Sequence, residues 1–276
     1  MERRPNTAVL YDEHGYLEGP RVHRGELYCA STLAGAVLCF AATGERRLVC
    51  EIKGVPCGLG FLPDGDLIVL EMVRRRLWRA SPRGLSIYAE LADSATGTID
   101  DMFIDSQGRA YVGDLGFDLF VAPKPPQALG QILLVAPGEP ARVVAQGLDF
   151  PNGIAMNRAR NRLAVAESHG NRIAWYDVSS AGELAPRART TGVAEPDGIC
   201  MTSDDTLWVA QVQGDCFVRI DDTGAELERV TARTGRPIAC WLSDDQRRLF
   251  CISAQTTHQD LMHGRSTCRV EAVDLG

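Results

Sequence analysis

The stretch Phe150-Pro151-Asn152-Gly153-Ile154-Ala155 is the clearest copy of a short pattern that recurs along the whole chain. The pattern consists of a proline, a variable residue and a small residue, followed by a β-rich segment. Further copies stand at Pro56-Cys57-Gly58, Pro196-Asp197-Gly198 and Pro237-Ile238-Ala239, and two weaker copies without the proline stand at Leu17-Glu18-Gly19 and Ile99-Asp100-Asp101. This recurrence predicts six equivalent units that follow one another along the chain.

Each copy opens the same series of strand, tight turn, strand, loop and strand. Runs such as 163–166 and 207–210 are rich in Leu, Val, Ala and Trp, and they are bounded by turn residues, which favours strands. The six variable positions are separated by 39, 43, 52, 45 and 41 residues, and one four-stranded propeller blade takes roughly 40 to 50. No window keeps an apolar period of 3.6 residues, so we expect few helices. We predict an all-β fold, a six-bladed β-propeller formed by one domain over residues 1–276.

An isolated strand at residues 7–12 precedes the first unit. In a closed ring such a strand completes the last blade, where residues 267–274 supply its neighbours. This closure removes a sheet edge that would otherwise invite aggregation. The first three blades are expected to run from Glu18 to about Cys50, from Cys57 to about Leu91 and from Asp100 to about Ala145.

The composition restricts the class of protein. The chain has 276 residues, of which 45% are hydrophobic, and a formal net charge of -7 with scattered Lys and Arg, so no basic face for nucleic acid is expected. Its nine cysteines contain no Cys-x-x-Cys pair, and several lie in apolar runs, which favours buried free thiols in a reducing cytoplasm. The N-terminus lacks the apolar segment of a secretory signal, and the most apolar window, 27–42, is broken by polar residues and glycine, unlike a membrane span. We therefore expect a cytoplasmic protein without a membrane partner.

Four of the six variable residues carry oxygen ligands, namely Glu18, Asp100, Asn152 and Asp197. The innermost strands of all blades line one central channel, so these side chains would converge on its axis. Three carboxylates in a partly desolvated site repel one another, and a bound cation relieves that repulsion. Oxygen ligands favour one hard divalent cation, calcium first, with magnesium, manganese or zinc as alternatives.

Asp and Asn are also common as turn and capping residues in β proteins, which explains any one of these positions. That interpretation does not explain why the polar residue falls at the same repeat phase four times. Asp100 and Asp101 compete for one place in the channel, because neighbouring strand residues point to opposite faces. Asp100 aligns with Asn152 and Asp197, so we predict Asp100 as the ligand and Asp101 as a supporting residue behind it.

Several of these segments together resemble the gluconolactonase, senescence-marker-protein (regucalcin) and luciferin-regenerating-enzyme family, over nearly the whole chain. They are Leu17-Glu18-Gly19-Pro20, residues 99–105 with Gly108-Arg109, Phe150-Pro151-Asn152-Gly153-Ile154-Ala155, Ala166-Glu167-Ser168 with Asn171-Arg172, and Pro196-Asp197-Gly198. The resemblance implies a six-bladed propeller, a divalent cation held in the channel by Glu, Asn and Asp at these places, and the hydrolysis of a small-molecule lactone. It also implies that Asp197 is the catalytic base.

Two departures from the family pattern bear on the substrate. Family members often carry Asn where this chain has Asp100. Members that act on sugar lactones have a substrate-binding arginine two residues earlier, where this chain has Thr98. We predict Thr98 as a substrate contact, together with Asp118, which lies near Asp114 and Phe117 just ahead of the proline-rich stretch 122–126. A polar insertion at 256–263 carries two histidines that would face the channel mouth or solvent.

The chain contains no Gly-x-Ser-x-Gly, no His-Glu-x-x-His and no phosphate-binding glycine loop. Two alternative functions therefore stay open beside a metal-dependent lactonase. One is a metal-dependent hydrolase of the phosphotriesterase type, and the other is a non-catalytic calcium-binding propeller, because a fold alone does not fix a function.

Overall fold

The structure is a computed structural model that describes residues 7–41, 43–121 and 125–275. Within these residues the regular structure consists of 24 strands, one α-helix and one turn of 3-10 helix. The helix α1 (His258–Met262) and the 3-10 turn Val212–Gly214 both lie in connections between strands. The prediction of an all-β chain with few helices is confirmed.

The described strands form six antiparallel sheets of four strands each. The chain begins with β1 (Thr7–His14), which belongs to the sixth sheet. Blade 1 contains β2 (Leu17–His23), β3 (Glu26–Ser31), β4 (Ala36–Phe40) and β5 (Arg46–Glu51). Blade 2 contains β6 (Pro56–Phe61), β7 (Leu67–Glu71), β8 (Arg76–Ser81) and β9 (Gly84–Glu90). Blade 3 contains β10 (Ile99–Ile104), β11 (Ala110–Asp114), β12 (Gly130–Val135) and β13 (Arg142–Leu148).

The second half of the chain repeats this arrangement. Blade 4 contains β14 (Pro151–Met156), β15 (Arg162–Glu167), β16 (Arg172–Val178) and β17 (Leu184–Gly192). Blade 5 contains β18 (Pro196–Met201), β19 (Leu207–Gln211), β20 (Cys216–Ile220) and β21 (Glu226–Thr231). Blade 6 contains β22 (Arg236–Leu242), β23 (Arg248–Gln255), β24 (Thr267–Asp274) and β1. The six-bladed β-propeller predicted from the repeat spacing is confirmed.

Both ends of the chain contribute to blade 6. Strand β1 pairs antiparallel with β24, so that Thr7 lies opposite Val273 and His14 lies opposite Thr267. The edge of β24 is therefore hydrogen-bonded to β1, which protects it from pairing with another chain.

The hydrophobic core is divided among the interfaces between neighbouring blades. The described residues form six buried apolar clusters, one at each interface. Leu70 of blade 2 and Val112 of blade 3 belong to one cluster, and Phe40 of blade 1 and Ile252 of blade 6 belong to the cluster that closes the ring. Each blade is thus packed on both faces, which holds the innermost strands in fixed positions.

Close approach of neighbouring innermost strands explains the small residue of the recurring motif. A Cβ atom on Gly153 would lie 2.6 Å from the carbonyl oxygen of Asp197, and a Cβ atom on Gly198 would lie 2.6 Å from the Cβ of Ala239. Both distances are too short for a real Cβ atom, so the glycines at 153 and 198 allow the neighbouring innermost strands to approach this closely.

The pairing of the innermost strand is irregular at the motif in every blade. In blade 3 the strand has one extra residue, since Ile99 lies opposite Asp114 while Met102 lies opposite Val112. The other five irregularities lie at Glu18/Arg21, Pro56/Leu59, Pro151/Ile154, Pro196/Ile199 and Pro237/Ala239. Such bulges redirect side chains. The regular alternation on which we separated Asp100 from Asp101 therefore does not hold, and both residues are only 8% exposed.

Three smaller features complete the fold. All nine cysteines are unpaired, eight of them are buried, and Cys50 is half-buried. Within the described part of the chain, no helix has the length and apolar character needed to cross a membrane. The proline-rich stretch 122–126 lies mostly outside the described residues.

Candidate functional site

A cavity of about 720 Å³ lies over the centre of the ring. Its lining includes the variable residue of every motif, one from each innermost strand, and these are Glu18, Cys57, Asp100, Asn152, Asp197 and Ile238. The structure therefore brings the four predicted metal ligands to one place, although they are 179 positions apart at the extremes of the sequence. Cys57 and Ile238 share the same phase and complete the set.

Three of these residues are acidic, and burial makes their charged forms unfavourable. Burial, reinforced by the charge of Asp101, raises the pKa of Asp100 to about 7. Burial and the charges of Asp197 and Asp100 raise the pKa of Glu18 well above its ordinary value. The pKa of Asp197 is also raised well above its ordinary value, by burial and then by the charge of Asp100. The three carboxyl groups thus need either protons or a cation.

Each of the three carboxyl groups has one neutral hydrogen-bond donor beside it. The Tyr16 hydroxyl donates to Glu18, and the Asn152 amide donates to Asp197. The Cys57 thiol donates to Asp100, with 3.5 Å between Sγ and Oδ1. Among the described residues, none of the three acidic groups is stabilised by Lys or Arg.

Asp101 has a different environment, because it forms an ion pair with Arg21. The Arg21 Nη2 lies 3.2 Å from Asp101 Oδ1, and the guanidinium stacks 4.3 Å from the ring centre of Trp241. Asp101 also accepts a hydrogen bond from the Met102 backbone nitrogen at 2.7 Å. Burial still raises the pKa of Asp101, since it outweighs the opposing effect of Arg21. Asp101 does not line the cavity, and its charge is compensated by a protein side chain.

The two predicted substrate contacts, Thr98 and Asp118, do not line the cavity. Thr98 is 2% exposed, and its Oγ1 accepts a hydrogen bond from the Leu119 backbone nitrogen at 3.0 Å. Asp118 Oδ1 accepts a hydrogen bond from the Phe120 backbone nitrogen at 3.1 Å. Both residues hold the loop that places Leu119 and Phe120 in the cavity wall.

A second set of cavity residues stands two positions before the variable residue of the motif. Five blades contribute such a residue, namely Tyr16, Val55, Phe150, Glu195 and Arg236. The equivalent residue of blade 3, Thr98, does not line the cavity. Phe150 and Glu195 have φ angles of +62° and +41°, a conformation that residues other than glycine rarely adopt. Such strain persists only where the surrounding structure imposes it, often at functional sites. Sequence reasoning missed these residues, although their shared repeat phase was a signal.

The polar insertion of blade 6 contributes to the cavity through threonines and a leucine. Thr256, Thr257 and Leu261 line the cavity. His263 is exposed, and its Nδ1 lies 2.7 Å from the Gln259 carbonyl oxygen rather than in the cavity lining. The side chain of His258, the other histidine of this insertion, lies outside the described part of the structure.

The four predicted ligands fit a divalent cation in chemical kind, because all are oxygen donors and three are carboxylates without an opposing charge. Among the described residues, however, no three or more His, Cys, Asp or Glu side chains are arranged to hold a metal ion. The Asn152 amide oxygen is a donor of a different kind, so a cation here would depend on that amide as well as on carboxylates.

The fold and the cavity define a class, a six-bladed propeller with acidic residues at the channel. The chain belongs to the SMP-30/Gluconolactonase/LRE-like family, whose model matches residues 17–255. It is 27% identical over 225 residues to pentonolactonase XacC of Haloferax volcanii, a match that covers 79% of this chain and 74% of that protein. It is 30% identical over 212 residues to lactonase drp35 of Staphylococcus aureus strain MW2, covering 70% of this chain and 63% of that protein.

Solved structures show the same fold at lower sequence identity. A gluconolactonase from Xanthomonas campestris matches with a TM-score of 0.75 and 22% identity, covering 96% of this chain and 89% of that one. A regucalcin from Agrobacterium tumefaciens, described as a calcium-binding protein, matches with a TM-score of 0.77 and 17% identity, covering 99% and 96%.

Proposed function

We propose that this protein is a hydrolase that opens a small-molecule lactone with water and depends on one divalent cation, calcium first. The observation that carries the proposal is the group of three acidic side chains, Glu18, Asp100 and Asp197, at a cavity of about 720 Å³. None of them is paired with a cationic side chain among the described residues. The lactonases among the relatives support the reaction class.

Glu18, Asn152 and Asp197 would hold the cation, with Asp100 as a further oxygen donor. A divalent cation bound there would polarise the lactone carbonyl and lower the pKa of a bound water molecule. Calcium suits this set best, because it accepts several carboxylate and amide oxygens in flexible geometry; magnesium, manganese and zinc are the alternatives.

Asp197 acts as the general base in this proposal. It takes a proton from water while the water oxygen forms a bond to the lactone carbonyl carbon. The ring C–O bond then breaks, the leaving oxygen takes the proton back from Asp197, and the product is a hydroxy acid. Asn152 donates a hydrogen bond to Asp197 and so orients its carboxylate. A positioned base of this kind contributes about 100-fold to 10,000-fold to the rate.

Substitution of the base tests the proposal directly. Asp197→Ala should abolish lactone hydrolysis, measured by acid release at constant pH with calcium present, while the circular dichroism spectrum stays that of the parent. Asp177→Asn, at an exposed ion pair with Arg187, is the matched control and should keep parental turnover. An Asp197→Ala protein that hydrolyses lactones at the parental rate would remove the base assignment.

The two alternatives predict different activities. A phosphotriesterase-type enzyme would hydrolyse organophosphates in preference to lactones, and a calcium-binding protein without activity would turn over neither. The cavity favours an enzyme, because a purely ion-binding channel has no need of a space the size of a small molecule. A panel of lactones and organophosphates, assayed with calcium and with chelator, separates the three functions.

A further inference from the structure

The cavity wall above the acidic residues has two chemically distinct halves. Blades 2 and 3 and the junction with blade 4 supply an apolar arc, which we define as Val55, Met72, Phe117, Leu119, Phe120 and Phe150. The half from blades 4 to 6 is mainly polar, with Ser168, His169, Glu195, Arg236, Thr256 and Thr257, although Val212 and Leu261 also belong to it. A molecule seated at the acidic residues would therefore meet hydrocarbon on one side.

The apolar arc is anchored to the core. Met72 is a buried member of the cluster between blades 2 and 3, and Val55, Leu119 and Phe120 pack against that cluster. Phe150 contacts Phe117 and His169, with ring centres 6.0 and 4.5 Å apart. These contacts fix the arc before any ligand binds, which reduces the entropy lost on binding.

Hydrogen bonds inside the protein hold the loop that carries three members of the arc. The buried Asp114 carboxylate accepts hydrogen bonds from the backbone nitrogens of Thr96, Gly97 and Gly116, at 2.7, 2.9 and 3.0 Å. Thr98 and Asp118 accept hydrogen bonds from the Leu119 and Phe120 backbone nitrogens of this loop, and neither of the two polar side chains lines the cavity. The arc offers apolar side chains to a ligand, and these cannot pair with hydroxyl groups.

We propose that the lactone used by this site carries an apolar alkyl or aryl substituent that lies against the apolar arc, with Phe150 and Phe120 as specificity residues. This inference rests on the proposed lactonase function. A polyhydroxylated lactone would leave hydroxyl groups unpaired on the arc, whereas an alkyl group removes hydrocarbon from water and gains about fourfold in affinity per buried methylene.

The first experiment compares substrates on the calcium-loaded protein. Values of kcat/KM, each divided by the rate constant of hydroxide-catalysed hydrolysis, are measured for γ-butyrolactone, γ-valerolactone, γ-octalactone and a pentono-γ-lactone. We expect γ-octalactone to exceed γ-butyrolactone by roughly 60-fold if three methylenes are buried. We also expect γ-valerolactone to exceed the pentono-γ-lactone, which has the same five carbons, by at least about tenfold. A pentono-γ-lactone that equals or exceeds γ-valerolactone overturns the inference.

The second experiment changes the arc. Phe120→Ser should lower the ratio of kcat/KM for γ-octalactone over γ-butyrolactone by about tenfold. Val55→Thr is nearly isosteric, so it tests the same point if Phe120→Ser fails to fold, and it should lower the ratio severalfold. Leu227→Ser changes an apolar residue of β21 that is 51% exposed and not among the cavity-lining residues, and it should keep the parental ratio. An unchanged ratio in both arc variants also overturns the inference.

The two proposals fail in distinguishable ways. If no lactone is hydrolysed, or Asp197→Ala is as active as the parent, the lactonase function fails and the substrate class fails with it. If lactones are hydrolysed through Asp197 but the hydroxylated substrate is preferred, the substrate inference alone is wrong.

Discussion

Asp100 and Asp101 are neighbours in the chain and are equally buried, but only Asp101 has an arginine partner. The carboxylate of Asp101 is stabilised by Arg21 and by a backbone nitrogen, while Asp100 has one weak thiol donor. A buried charge without a partner is costly, and a site that keeps one usually has a function for it. We therefore interpret Asp101 as part of the scaffold and Asp100 as part of the site.

The first prediction concerns pH and cation removal. The ordinary pKa of Asp100 is 3.8, and burial raises it to about 7 in the folded chain. The folded state thus binds this proton more tightly than the unfolded state. The contribution of protonated Asp100 to the stability of the folded state is therefore complete below about pH 4 and is lost as the pH rises through 7. In chelator, the thermal midpoint should therefore decrease as the pH is raised from 5 to 8. Addition of calcium should remove this decrease.

Calorimetry across this pH range with calcium and with chelator measures the effect. Asp100→Asn has no proton to lose at this position, so its chelator profile should be flatter than that of the parent. A parental midpoint in chelator that rises from pH 5 to 8 would contradict the prediction.

The second prediction concerns the ion pair of Arg21 and Asp101, whose side chains are 7% and 12% exposed. Arg21→Met leaves the Asp101 carboxylate buried without its partner, and should lower the free energy of unfolding by about 3 to 5 kcal/mol. Arg46 pairs with Glu13 at the surface, with side chains 41% and 56% exposed, so Arg46→Met should cost less than about 1 kcal/mol. Urea unfolding measures both; similar losses in the two variants would be evidence against the argument.

At the scale of elements, the sequence pattern predicts only part of the structure of the innermost strands. The motif phase predicted which six residues are equivalent, because each unit repeats the same strand. It did not predict the bulge at the motif, because an extra residue in one strand becomes apparent only when its partner strand is known. The assignment of Asp100 over Asp101 by regular alternation lacked this information.

Buried acidic residues at the ends of second strands are a further feature of the elements. Glu71 ends β7, Asp114 ends β11 and Glu167 ends β15. Each carboxylate accepts a hydrogen bond from a backbone nitrogen in the segment just before the motif of its own blade, and the donors are Val55, Thr96 and Asp149. Glu167 is also paired with Arg172, at 2.7 Å. Their carboxylates are occupied by hydrogen bonds within the fold, and none of these three acidic residues lines the cavity.

The third prediction concerns Asp114, which also accepts a hydrogen bond from the Gln131 side chain at 2.8 Å. Asp114→Ala leaves buried backbone nitrogens without acceptors, and should lower the free energy of unfolding by about 3 kcal/mol or more. Since the same hydrogen bonds hold the loop of the apolar arc, KM for alkyl lactones should rise as well. Asp93→Ala, at an exposed position, is the control; equal stability of the two variants would argue against the role of Asp114.

At the scale of the whole molecule, the number of blades could be predicted from the sequence, because each blade begins with one copy of the motif and the copies are spaced by the length of one four-stranded sheet. The upper cavity wall could not be predicted in the same way. Its loops differ in length and sequence from blade to blade, and their positions depend on contacts such as those of Thr98 and Asp118. Phe150 lies inside the motif stretch itself, but its role follows from its backbone conformation and its aromatic neighbours, which only the folded chain contains.

The fourth prediction concerns ring closure. Strand β1 pairs with β24 along most of its length, and its Tyr11 belongs to the cluster between blades 6 and 1. Deletion of residues 1–14 would expose the edge of β24 and part of that cluster, so the thermal midpoint should fall by roughly 10 °C and the protein should associate. Calorimetry and size-exclusion chromatography measure the two effects. Val9→Ser changes a β1 residue that is 47% exposed and should remain close to the parent in both. A truncated protein with the parental midpoint and elution volume would show that the ring closes without β1.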